Sequence, residues 1–214
     1  MPHNLEYIVV EGPVGVGKTS LAGRLADAFG MELLRELPED NPFLERFYRS
    51  REQFALPTQL YFLFQRARQL RTLKQGDLFR PGCVSDFLFE KDRLFASVNL
   101  ADDEMWLYEQ IYAQLRMETP VPDLVIYLQA PIEVLIERIN KRDNQYEQQV
   151  DIDYLQSLVD AYTQFFYHYN DAPLLIVNAA DINLVDNSAD FDMLLEHINN
   201  THHGRRFLNP LAAS

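Results

Sequence analysis

The stretch Glu11-Gly12-Pro13-Val14-Gly15-Val16-Gly17-Lys18-Thr19-Ser20 constrains the fold more than any other part of the chain. From Gly12 to Thr19 it fits the pattern G-x-x-x-x-G-K-[ST]. The apolar run Tyr7-Ile8-Val9-Val10 lies directly before it, and an amphipathic segment over 21–29 lies directly after. A glycine turn between a buried strand and a helix is the setting in which this pattern cradles phosphates. Glycines let the backbone curl so that successive N–H groups point inward, and the helix adds its unpaired N–H groups and positive dipole end. The expected phosphate cradle is therefore Gly12, Pro13, Val14, Gly15, Val16, Gly17, Lys18, Thr19 and Ser20. Lys18 supplies a mobile charge for the terminal phosphates, and the Thr19 hydroxyl is offered to Mg²⁺. The motif points to a nucleoside triphosphate without naming the reaction.

The rest of the chain alternates in kind. Short apolar runs fall at 32–34, 83–85, 124–128 and 174–177, with helical periodicity between them. A long helix is predicted to start near Pro57 and to end at Gly76, and Pro131 opens another. Further helices are predicted at 43–48, 91–98, 103–117, 155–166 and 191–198, with Asp102 and Asp103 as caps for the one at 103–117. Continuously apolar strands alternating with helices predict an α/β fold of the phosphate-loop kinase type: a parallel five-stranded sheet with helices on both faces. The chain reads as one domain over 1–200, with a short basic lid at about 138–150 and a polar, loose tail over 201–214.

The net charge of −13 argues against non-specific contact with nucleic acid or anionic membrane. An anionic nucleotide must then meet a local basic cluster. No apolar run approaches the length of a membrane span. The first strand begins almost at once, which leaves no room for a targeting peptide, so a cytoplasmic protein is expected. Cys83 is the sole cysteine and reads as a small buried residue.

A phosphate-binding turn needs an acid at a neighbouring strand end to orient Mg²⁺ or a nucleophile. The strand at 124–128 runs into Gln129, which leaves Glu36 and Asp86. Both follow strands of a parallel sheet, where ligands gather. Arg138 and Arg142, four apart with Lys141 beside them, form the expected basic cluster, either closing over phosphates or ending a solvated helix. On the long helix, Gln59 and Arg66 are seven apart and share a side, and an amide with a guanidinium can read a base edge. Tyr48, Phe62 and Phe87 are candidates to stack a base, with core packing the ordinary alternative.

Together these residues resemble the deoxyribonucleoside kinase family, most closely its bacterial deoxyadenosine/deoxyguanosine kinase branch. The likeness runs from Tyr7 to the last helix. Glu36 with Asn41-Pro42-Phe43-Leu44 and Phe47-Tyr48 resembles the segment carrying the general base. The resemblance implies catalytic roles for Glu36, Lys18, Arg138 and Arg142. It implies that Gln59, Arg66 and Asp92 read the base, and that Tyr48 and Glu147 hold the sugar 3′-hydroxyl. Asp86 joins Thr19 as a candidate for the metal. The implied reaction moves the γ-phosphate of ATP to the 5′-hydroxyl of a deoxynucleoside, with a purine favoured. The implied assembly is a homodimer through the helices around 91–117.

Two positions depart from the family pattern. Many relatives carry an arginine after the acid of the third strand, where this chain has Asp86-Phe87; Lys91, another basic residue or the lid is left to meet the phosphates. Asn144 stands where some relatives have a further lid arginine. A pyrimidine or broad-specificity deoxynucleoside kinase and a thymidylate-type monophosphate kinase remain alternatives, the latter needing extra arginines for the acceptor phosphate. A GTPase-type switch reads guanine with Asn-Lys-x-Asp, and Asn178-Ala179-Ala180-Asp181 lacks the lysine.

Overall fold

The computed structural model describes residues 5–74, 82–117, 119–141 and 151–209. In chain order the elements are β1 (Tyr7–Glu11), α1 (Lys18–Phe29), β2 (Glu32–Leu34), a 3-10 turn (Pro38–Asp40), α2 (Leu44–Arg49), α3 (Arg51–Lys74), β3 (Cys83–Ser85) and α4 (Lys91–Asn99). There follow α5 (Asp102–Arg116), β4 (Leu124–Gln129), α6 (Ile132–Lys141), α7 (Ile152–His168), β5 (Leu174–Asn178), α8 (Ser188–Asn199) and β6 (Arg205–Leu208). The six strands form one parallel sheet in the order β2-β3-β1-β4-β5-β6. Strands β1, β3, β4 and most of β5 are buried on both sides, which is why their sequences are continuously apolar.

The two faces of the sheet pack differently. One is covered mainly by α3, α4, α5 and α7 and is rich in aromatics; Tyr127 of β4 stacks on Phe166 of α7 with ring centroids 4.0 Å apart. The other is covered by α1, α6 and α8 and is almost wholly aliphatic, with Leu21, Leu25, Leu135 and Leu194 against Val10, Ile126 and Val177. Cys83 is buried, and burial pushes its thiol up to about 11, as suits a packing residue.

Three expectations are corrected. Among the described residues the sheet has six strands rather than five, because 205–208 of the supposedly loose tail add β6 beside β5. Only Leu208 of β6 is buried, so the strand carries little apolar signal; its backbone ladder and three Arg205 bonds to the carbonyls of Phe166, Tyr167 and Tyr169 hold it. Helix α3 starts at Arg51, not near Pro57, which sits inside it. The buried residues Ala55, Leu63, Ala67 and Leu70 continue one face through the proline, and that burial outweighs the one backbone bond Pro57 cannot make. Its expected end at Gly76 lies outside the described residues. Asp102 and Asp103 do not cap α5: Ala101 is the cap residue, and Glu104 reaches back to its N–H at 3.2 Å.

Candidate active site

Strand β1 lies between β3 and β4, so the chain leaves it in one direction and returns on the other side. Its carboxyl end is the crevice where α/β sheets bind ligands. The glycine turn fills it. Gly12 has φ +153° and Gly17 φ +106°, and a Cβ on Gly12 would stand 2.5 Å from the Leu128 carbonyl oxygen. Gly17 is the cap residue of α1 and brings no side chain to the first N–H groups of that helix, which stay open to an anion. The Lys18 ammonium folds back over the turn, donating to the carbonyls of Gly12 at 2.7 Å and Pro13 at 3.1 Å. Burial, and next the charge of Lys91, bring its pKa down to about 8.

A chain of acids runs outward from this turn. The Thr19 hydroxyl donates to Asp86 Oδ2 at 2.6 Å, and the backbone N–H of Glu36 donates to Asp86 Oδ1 at 2.7 Å. Asp86 thus fixes both the residue after the lysine and the second residue after β2. The Glu36 carboxylate accepts from Arg66 through Nε at 2.9 Å and through Nη2, and from Lys91 Nζ at 3.0 and 3.3 Å. Burial would raise the Glu36 carboxyl, but the charges of Arg66 and Lys91 outweigh it and hold the group well below the usual carboxylate range. Arg66 also faces Asp92, with Nη1 2.5 Å from Oδ1. Asp92 is fully buried, and there burial outweighs Arg66 and raises its carboxyl to about 6.

These groups surround a cavity of about 460 Å³, within the range of small-molecule pockets. Lys18, Thr19, Ser20 and Asp86 line one end of it, and Glu36, Lys91, Arg66, Gln59 and Tyr48 line the wall. Phe62 and Phe95 supply apolar surface, whereas Phe87 is buried in the core rather than in the wall. Asp92 sits behind Arg66 and does not reach the wall. Thus Lys18, Thr19, Glu36, Tyr48, Gln59, Arg66 and Asp86, singled out from sequence, meet in one space. Arg138 does not join them. Its guanidinium donates to the carbonyls of Val16 at 3.2 Å and Ala179 at 2.8 Å, beside a second cavity lined by Gly15, Gly17, Asp181 and Asn183. Arg142, Asn144 and Glu147 lie outside the described residues.

The chain matches the model of a family described as deoxynucleoside kinase over residues 8–203. The chain belongs to the deoxynucleoside kinase family. It is 31% identical over 201 residues to a deoxyguanosine kinase of Bacillus subtilis, covering 90% of this chain and 95% of that one. It is 27% identical over 211 residues to a deoxyadenosine/deoxycytidine kinase of the same organism, covering 95% of both chains. A solved deoxyadenosine kinase from M. mycoides with bound dATP superposes with a TM-score of 0.78 at 25% identity, covering 90% of this chain and 99% of that one. The protein is accordingly an enzyme that transfers phosphate, and its fold is that of these kinases. The family assignment also gives the buried acids a context.

Sequence reasoning missed Glu11. It is fully buried at the end of β1, and it accepts from Gly12 N–H at 2.8 Å, Leu88 N–H at 2.8 Å and the Tyr162 hydroxyl at 3.0 Å. One carboxylate therefore ties the glycine turn, the β3–α4 connection and α7 together. The signal was an acid closing an otherwise apolar strand. It reads as the start of the motif until three donors are found around it.

Proposed function

We propose that the enzyme transfers the γ-phosphate of ATP to the 5′-hydroxyl of a deoxynucleoside, preferring a purine deoxynucleoside, in nucleotide salvage. The observation that carries this reading is the shared cavity. The Glu36 carboxylate, the Lys18 ammonium and the Gln59–Arg66 pair line one space together with the glycine turn. The deoxyguanosine and deoxyadenosine kinases among the relatives support the purine preference.

In this reading Glu36 receives the acceptor hydroxyl. A carboxylate held so far below its usual range is a weak base at rest. Phosphoryl transfer passes through a loose transition state that needs alignment and charge neutralisation more than prior deprotonation. Glu36 orients the hydroxyl and takes its proton late, as the new bond forms. Gln59 and Arg66 meet the base, with Asp92 holding Arg66 from behind. Tyr48 and Glu147 hold the 3′-hydroxyl. Arg138 and Arg142 are the arginines for the phosphates, from the lid at about 138–150 within the single 1–200 domain.

The Thr19 hydroxyl and Asp86 carboxylate, 2.6 Å apart beside the glycine turn, are the hard oxygen donors that Mg²⁺ takes when phosphates and water complete its shell. The ion would neutralise phosphate charge there. Among the described residues no group of three acids, histidines or cysteines is placed to hold a metal by itself. No described helix is long and apolar enough to cross a membrane. A cytoplasmic homodimer joined through α4 and α5, binding neither nucleic acid nor membrane, completes the proposal; Trp106 and Leu107 are exposed on α5.

The test is phosphorylation with ATP and Mg²⁺ of the four deoxynucleosides, adenosine, guanosine and deoxythymidine monophosphate, ranked by kcat/KM. A purine deoxynucleoside is expected to lead. Thymidine or deoxycytidine in front would overturn the purine preference, and turnover of the monophosphate alone would replace the acceptor.

A further inference from the structure

Lys91 is a buried cation that Glu11 and Glu36 hold charged against burial and against other cations nearby. It is 5% exposed. It is the first residue of α4, where the positive end of the helix dipole disfavours an ammonium. It also lies near enough to Lys18 to be the largest charge influence on that residue, and both line the same cavity. Its ion pair with Glu36 at 3.0 Å offsets that cost and points the ammonium into the cavity that Lys18 also lines.

The surrounding chain builds the position deliberately. Ser85 and Phe87 bond to each other across the turn after β3, with the Ser85 hydroxyl donating to the Phe87 carbonyl at 2.9 Å. Glu11 holds the Leu88 N–H, and the Lys91 N–H donates to the Leu88 carbonyl at 3.2 Å. Phe87 is fully buried, so the residue next to Asp86 sends no charge into the cavity. The ammonium comes instead from one turn further on. It reaches Glu36 at 3.0 Å, and Glu11 and Glu36 keep it charged against burial.

We propose that Lys91 is a catalytic residue of phosphoryl transfer, its ammonium contacting the transferring phosphoryl group opposite Lys18 while it keeps Glu36 aimed at the attacking hydroxyl. This rests on the function proposed above. The bond from phosphorus to the bridging oxygen of ADP breaks and the bond to the 5′-oxygen forms. The hydroxyl proton passes to Glu36 and then to water, and no further reactant is needed. Two lysines that repel each other across the cavity both gain when an anionic phosphoryl group comes between them, and they gain most in the transition state, where charge is spread over its equatorial oxygens.

The experiment compares wild type, Lys91→Met and Lys91→Arg, using the deoxynucleoside that wild type phosphorylates best. Lys91→Met is expected to lower kcat by ~10²–10³-fold, with the dissociation constant of the nucleoside alone within threefold of wild type (roughly, for a group outside the base pocket). Lys91→Arg is expected to recover at least about tenfold of that loss. Binding of ADP with aluminium fluoride in the presence of nucleoside mimics the transferring group, and Lys91→Met is expected to lose the tightening that wild type shows over ADP alone. A purely structural role would not remove that difference. Should Lys91→Met fail to fold, Lys91→Gln carries the same comparison. Wild-type turnover of every deoxynucleoside at background overturns the proposed function itself. A working wild type with Lys91→Met of equal kcat, or with its loss matched by lost nucleoside affinity, overturns Lys91 alone.

Discussion

The cavity around Glu36 and the groove beside Arg138 lie on either side of the same glycine turn, and they are built from different materials. Around Glu36 the partners are side chains: Arg66 bridges Glu36 and Asp92, and Lys91 completes the cluster. Beside Arg138 they are backbone carbonyls, those of Val16 and Ala179, and the nearby Arg24 likewise donates to the carbonyls of Leu184 and Val185. A site made of buried side-chain charges is sensitive to single substitutions, because removing one partner strands another charge in low dielectric. A site framed by backbone tolerates side-chain change as long as the loop keeps its path. The cavity around Glu36 is therefore the region where single substitutions are expected to change activity most.

The largest effect is expected where the two regions meet. Lys18→Ala should remove at least ~10³-fold in kcat/KM with every phosphate donor tried, because its ammonium serves the phosphates whichever acceptor is bound. Donor-dependent losses, severe with ATP and mild with GTP, would instead tie Lys18 to one donor and break the division. Next comes the acceptor side. Glu36→Gln should lower kcat by on the order of 10²–10⁴-fold and leave deoxynucleoside binding, followed by calorimetry, nearly unchanged. Unchanged turnover would remove Glu36 from the chemistry and leave its ion pairs as scaffolding.

The same contrast separates what could be read from the sequence from what could not. The glycine turn, β1 to β5 and the acids after β2 and β3 were legible, because each is a local pattern: a motif, an apolar run, a polar residue at its end. Glu36, Asp86 and Thr19, singled out from the motif and from their places after the strands, stand in one hydrogen-bonded chain. Strand β6 was not legible, since an edge strand with one buried residue is stabilised by pairing and carries no pattern of its own. Glu11 was hidden for the opposite reason: its importance lies in donors contributed by residues 1, 77 and 151 positions away. Arg138 was read with Arg142 as a basic cluster for phosphates or as a solvated helix end, but sequence spacing says nothing about which cavity a guanidinium enters. Lys91 appeared only as one possible substitute for a missing arginine, and its burial beside Glu36 became visible in three dimensions.

The smallest expected effect is the sharpest test of the charge cluster, because it separates two carboxylates that share one arginine. Glu36 is held far below its usual range, so it stays ionised throughout mild acid. Asp92 is raised to about 6 by burial, against the pull of Arg66 and Lys91 and with the push of Glu36; Tyr108 of α5 also faces it. As pH falls through 6, Asp92 should take up a proton while Glu36 does not, and Arg66 loses the anchor behind it. Deoxynucleoside affinity is then expected to weaken several-fold between pH 7.5 and 5.5, and Asp92→Asn should bind more weakly but with no such dependence. Folding stability should respond with the opposite sign. The folded state binds this proton more tightly than the unfolded chain, so the contribution of Asp92 to stability rises as pH drops from 7 through 6. Affinity and stability moving in opposite directions over one window, both flattened by Asp92→Asn, would assign the effect to this carboxylate. Parallel losses would place the titrating group elsewhere and leave Arg66 held by Glu36 alone.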